Sequence, residues 1–156
     1  MHIKYYIGID PGKTGGYAFY WPKSGEFQVY PFEAFSYKEF QQTLFVLNTD
    51  FQNMGCAIER VHAMPGQGVT SMFSFGQNYG GWLATLELLG VGYENPTPQT
   101  WQKVILGTVA KGEGKAKALE FVQRKFPSRK WLKKDHGVID ALCLARYAAW
   151  KEGEVR

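Results

Sequence analysis

"YYIGIDPGKTGGYAF", residues 5–19, decides how the chain is read: an apolar run, an aspartate, a glycine-rich turn and a second apolar run. Residues 3–10 have the composition of a buried strand. A carboxylate at the end of such a strand costs several kcal/mol to desolvate unless something offsets it. Asp10 therefore either caps the Asp10-Pro11-Gly12 turn or faces a cation.

Working outward, "GYAFYWP" (16–22) and "EFQVYPF" (26–32) are joined by "KSG", which predicts a β-hairpin. Residues 36–48 predict a helix capped by Ser36, with Phe40, Leu44 and Leu47 at helical spacing. "GCAIERV" (55–61) is a second buried strand, and it too carries an acid, Glu59, near its end. After a loop at 62–70, helix 71–90 places Phe75, Tyr79, Trp82, Leu86 and Leu89 on one face and stops at Gly90. "VGYENPTP" (91–98) reads as a short strand ended by prolines. A short helix (99–106), a loop, a basic amphipathic helix (115–126), a basic connector and a last helix (135–153) complete the chain. This order predicts one α/β domain over 1–156, with a five-stranded mixed sheet flanked by helices.

The bulk numbers agree. A chain of 156 residues suits one domain, and 45% apolar with 21% charged residues excludes global disorder. The net charge of +4 is unevenly spread: residues 103–134 hold ten basic side chains against two acidic ones, so the remainder is net acidic. That segment is a surface suited to a polyanion. Cys56 and Cys143 sit in separate apolar runs, which gives no disulfide framework and suits a reducing compartment. The N-terminus lacks the pattern of a signal peptide, and no apolar stretch approaches the ~18 residues of a membrane span. The expectation is a cytoplasmic protein without membrane association.

Three acids stand out. Asp10 and Glu59 end apolar strands, and Asp140 lies inside "VIDALCLA", on the apolar side of the last helix. Gathered together they would repel one another unless protonated or bound to metal. Hard oxygen ligands favour magnesium or manganese over zinc. Two such ions about 4 Å apart can activate water and stabilise the leaving oxygen in phosphodiester hydrolysis.

"GIDPGKTGGYAF", "AIERV" and "DHGVIDALCLA", in this order, resemble the RuvC-type Holliday junction resolvases of the ribonuclease H-like superfamily. "FGQNYGGWLATLELLG" followed by "ENPTPQTWQKVILG" extends the resemblance over nearly the whole chain, and the loop "HAMPGQGVTSMFSFGQ" is most similar to phage-encoded members. The resemblance implies a ribonuclease H-like fold and a structure-specific endodeoxyribonuclease. It would cut four-way junctions, and other branched DNA within reach, as a homodimer, leaving 5′-phosphate and 3′-hydroxyl ends. Two Mg2+ ions per site are implied, with Mn2+ able to substitute. A phage-encoded member would act in the host cytoplasm. Asp10, Glu59 and Asp140 become expected metal ligands.

The last motif departs from the bacterial pattern, which has an acid or histidine three residues before the helix aspartate; here that position is Gly137. His136, four residues before Asp140, shares its helical face and is the expected fourth ligand or proton carrier. Asp135 is the other candidate, or the helix N-cap. Lys103 and Lys115 match family lysines that contact DNA near the scissile phosphate and count as catalytic on that basis. Lys111 and Lys117 extend the DNA-binding surface. In the loop after Glu59, His62 could stack on a base and Met64 could wedge between bases. Phe73, Phe75 and Trp82 are expected in the core or a subunit interface, with helix 71–90 as the dimer candidate. A non-cleaving module of the same fold, binding DNA by its structure, is the alternative, motivated by Gly137.

Overall fold

The computed structural model describes residues 4–31, 37–47 and 54–156. Strands β1 (Tyr5–Asp10), β2 (Gly16–Trp21) and β3 (Glu26–Pro31) form an antiparallel meander. Helix α1 (Tyr37–Val46) leads towards β4 (Met54–Ile58), which pairs parallel to β1, and the sheet order is β3-β2-β1-β4. Helices α2 (Val69–Leu88), α3 (Pro98–Leu106), α4 (Gly114–Lys125) and α5 (His136–Lys151) follow. The expected cap Ser36 lies outside the described residues.

Among the described residues the sheet has four strands where five were expected. Residues 91–97 do run along β4: Glu94 N–H donates to Cys56 O (2.8 Å), and Ile58 and Arg60 N–H donate to Glu94 O (3.0 Å) and Pro96 O (2.7 Å). Pairing reaches ladder geometry only at Ala57 and Glu94. Pro96 and Pro98 have no N–H to donate, so the ladder ends there.

Side-chain alternation sorts the strands into two cores. Tyr5, Ile7 and Ile9 of β1, Met54, Cys56 and Ile58 of β4, and Tyr17 and Phe19 of β2 pack with α1 and α2 around Phe40, Leu44, Trp82 and Leu86. Tyr6, Ala18, Tyr20 and Ala57 point the other way, against α3, α4 and α5. Trp82 is core, Phe75 is half-buried and Phe73 is 74% exposed. Both cysteines are buried and free. Among the described residues no helix is long and apolar enough to cross a membrane.

Helix α5 is buried from Gly137 to Ala149 except at half-buried Asp140. It meets β1 at Gly8, where an added Cβ would stand 1.8 Å from Ala141 O and 2.3 Å from Ala145 N. Helix backbone therefore rests on strand backbone, with alanines supplying the low relief on the helix side.

Gly8→Ala is expected to cost at least about 3 kcal/mol, the upper end of overpacking, because the obstacle is backbone and cannot rotate away. Gly76→Ala, at a helical position with nothing within 4 Å of the new methyl, should gain roughly 0.5–1 kcal/mol. Urea unfolding of both variants checks the contrast, and an unchanged midpoint for Gly8→Ala would contradict the backbone contact.

Candidate active site

The site sits at the carboxyl ends of the two parallel strands, where open α/β sheets leave room for ligands. Asp10 lies two residues beyond Gly8, and so on the face covered by α5. Glu59, the residue after β4, is two beyond Ala57 and points the same way. Its N–H donates to Ile9 O at 3.1 Å, which sets the two acids side by side across the β1–β4 pair. Asp140 comes down from α5, one residue before the alanine that touches Gly8.

The turn after Asp10 is built around it. Gly12 N–H donates to Asp10 Oδ1 (3.0 Å), and Gly15 N–H closes the turn on Gly12 O (2.9 Å). An added Cβ at Gly15 would lie 2.0 Å from Asp10 O, so the chain can fold back this tightly only with glycine there. Glu59 Oε1 accepts from Trp101 Nε1 at 2.9 Å.

All three carboxyls are held above their ordinary range. Burial raises Asp10, opposed by the Gly12 N–H and the charges of His136 and Lys115. Burial and then the charge of Asp10 push Glu59 up to about 7, against the Trp101 hydrogen bond. Asp140 is raised well above 3.8 by burial, then by Asp10 and Glu59, with Lys115 opposing. The three acids thus share one electrostatic environment, partly compensated by Lys115 and His136. Among the described residues no ion pair reaches any of them.

Nor, among the described residues, do three His, Cys, Asp or Glu side chains close up enough to grip one ion together. The donor chemistry nevertheless fits magnesium, which is commonly held by one or two carboxylates plus water and substrate phosphate rather than by an all-protein cage.

Gly137 has a steric cause. A Cβ there would stand 2.0 Å from Thr14 O and 2.7 Å from Gly15 Cα, so the turn after Asp10 occupies the space a side chain would need. His136 is the neighbouring group whose charge bears on Asp10. Asp135 precedes α5, but its Oδ2 accepts from Leu132 N–H (2.9 Å) and caps the short 3-10 turn at Lys133–Asp135 instead of α5.

The basic residues separate. Lys115, at the start of α4, is the lysine whose charge reaches Asp10 and Asp140. Lys103 is exposed on α3, two residues from inward-facing Trp101, and so projects from the opposite side of that helix. Lys111 is exposed, and the Lys117 ammonium donates to Thr108 O, within the loop before α4. His62 and Met64 are both exposed, Met64 in a turn where Gln67 N–H donates to Met64 O at 3.3 Å.

Two residues about the site carried no functional signal in the sequence. Trp101 is a fully buried aromatic of α3. Asn78, buried on α2, donates from Nδ2 to Pro11 O and accepts from Tyr37 Oη (2.8 Å), tying the turn after Asp10 to the opposite core. A polar residue inside an apolar helical stripe was the available clue for Asn78.

No family model matches the sequence, and no curated protein matches it. Solved structures do. The Thermus thermophilus RuvC structure aligns at a TM-score of 0.58 and 15% identity, covering 96% of this chain and 97% of that one. T. thermophilus RuvC in complex with Holliday junction substrate aligns at 0.66 and 16%, covering 97% of both chains. At such identity the likeness is one of architecture: the chain has a RuvC-like α/β fold over nearly its full length.

Proposed function

We propose that the chain is a metal-dependent, structure-specific endodeoxyribonuclease that resolves Holliday junctions and related branched DNA by paired phosphodiester hydrolysis. The observation that carries this reading is three desolvated carboxyls from β1, the end of β4 and α5, each raised by burial, with Lys115 beside them, in a RuvC-like fold. Asp10, Glu59 and Asp140 would hold magnesium, with His136 at their edge. Bound there, magnesium would supply an activated water and a counter-charge for the leaving 3′-oxygen. Lys115 stabilises charge on the phosphoryl oxygens. Lys103, Lys111 and the exposed face of α4 bind phosphates of the arms, giving steep salt dependence. His62 and Met64 reach towards unpaired bases at the junction centre.

Paired cuts call for two sites related by a twofold axis, hence a homodimer. Helix α2 offers the surface: Val69, Phe73 and Leu88 are exposed, and Gly76 and Gly80 have nothing within 4 Å of a Cβ. Gly81, by contrast, is packed against Tyr37. The second reading, a module that binds junctions without cutting, is favoured by one observation: no described trio of ligands closes on an ion. Incubating labelled four-way junction with the protein, with and without magnesium, separates the two.

Asp10→Asn is expected to reduce junction cleavage by at least ~100-fold while changing junction affinity less than ~3-fold, read by gel cleavage and mobility shift. Undiminished cleavage would sink the metal assignment.

The raised carboxyls also predict a pH signature. Glu59 titrates near 7 folded against 4.5 ordinarily, so the folded state holds its proton more tightly than the unfolded chain. Its protonated form supports folding below about pH 4.5, and that support is lost as pH rises through 7, at most about 3 kcal/mol from this group. Metal-free protein should therefore melt lower at pH 8 than at pH 5.5. Millimolar Mg2+ should restore the melting temperature at pH 8 and do little at pH 5.5. A melting temperature at pH 8 that ignores magnesium would count against the site.

A further inference from the structure

We propose that Trp101 is a positioning residue for the metal site: its indole N–H holds Glu59 Oε1, so that Oε2 is the oxygen Glu59 presents to a divalent cation. The inference rests on the metal-dependent reading above and assigns a role within it.

The hydrogen bond is 2.9 Å long, and Trp101 is fully buried. An indole N–H only donates, and a packed indole cannot swing away to another acceptor. Glu59 stands beside Asp10, whose negative charge drives it off, on a side chain with three rotatable bonds. Without a fixed donor it would turn outwards to water, and among the described residues Trp101 is the donor it has.

Both ends of this hydrogen bond are anchored to the same piece of backbone. Asn95 Nδ2 donates to Ile58 O (2.8 Å), and Arg60 N–H donates to Pro96 O (2.7 Å), so the segment entering α3 is pinned to the strand end on either side of Glu59. Tyr79 Oη donates to Asn95 Oδ1 at 2.7 Å and fixes that amide. Thr97 then caps α3, its side chain accepting from Thr100 N–H at 3.2 Å, and Pro98 opens the first turn. One turn later Trp101 reaches back to Glu59. The strand end, the proline segment and the helix form a closed loop whose last link is the indole. Second donors of this kind fix ligand orientation, and losing one typically costs 10–100-fold in metal affinity.

The test uses the full chain and Mg2+ as probe. In a 15N-correlated spectrum the Trp101 indole resonance, assigned through bonds and by its absence from Trp101→Phe, should shift as Mg2+ is added. By calorimetry Trp101→Phe should bind Mg2+ roughly 10-fold or more weakly, while its junction affinity in EDTA stays within about 2-fold of wild type. Glu59→Gln should weaken Mg2+ binding too, and adding Trp101→Phe to it should cost little more, because the tryptophan acts through that carboxylate. An indole resonance that stays still while the Asp10 and Asp140 amides respond to Mg2+ overturns the proposal and leaves the metal site standing. Equal losses from Trp101→Phe with and without Glu59→Gln also overturn it. No Mg2+ uptake by wild type overturns the metal-dependent reading itself. Where Trp101→Phe does not fold, the wild-type titration decides alone, with the indole assigned through bonds.

Discussion

The contact of α5 with β1 at Gly8 contains no side chain, and the architecture of the site depends on that closeness. Ala141 O and Ala145 N occupy the space where a Cβ would be, so helix and strand approach to backbone distance. Asp140 precedes Ala141 and Asp10 follows Gly8 by two, so the contact that seals the core also brings Asp140 within reach of the charge of Asp10. Glu59 joins them by sheet register alone, through its N–H on Ile9 O. A bulkier residue at position 8 would lift α5 and draw Asp140 away from its partners.

That arrangement runs against the stability of the fold. Burial raises all three acids, the charge of Asp10 raises Glu59 and Asp140 further, and the compensation consists of one backbone N–H, one indole, Lys115 and His136. Elsewhere the same face of the sheet is largely apolar, from Tyr6 and Ala57 to Trp101 and Leu142, with buried Arg146 bonded to Tyr20 Oη. Three buried acids within such a surface are a local conflict between electrostatics and packing.

Much of this was legible in the sequence because it rests on short-range periodicity. The alternation in "YYIGID" puts Asp10 and Gly8 on one face, and the apolar run before Glu59 does the same for the second strand. The order of strands and helices gave the layered α/β architecture and the parallel return to β1. What the sequence withheld depends on contacts between distant segments. The fifth strand was overestimated because prolines that end a ladder were read as ending a strand already formed. Trp101 looks like any core tryptophan until its N–H is traced to Glu59. Lys117, expected on the DNA-binding surface, donates its ammonium to Thr108 O, an arrangement set by how the loop before α4 folds back.

Gly137 shows how one steric demand reshapes an electrostatic one. The turn that carries Gly12 and Gly15 around Asp10 fills the volume beside the first turn of α5, so position 137 has no room for a side chain. An acid placed there would also have joined three carboxyls that are already raised by burial. A polar residue at position 136 meets neither problem. It clears the turn, and it substitutes an imidazole, which is neutral or positive, for a fourth negative charge. The sign of the His136 effect agrees, since its charge favours ionised Asp10. The glycines that let the backbone wrap Asp10 therefore leave room for a side chain at position 136 and none at position 137.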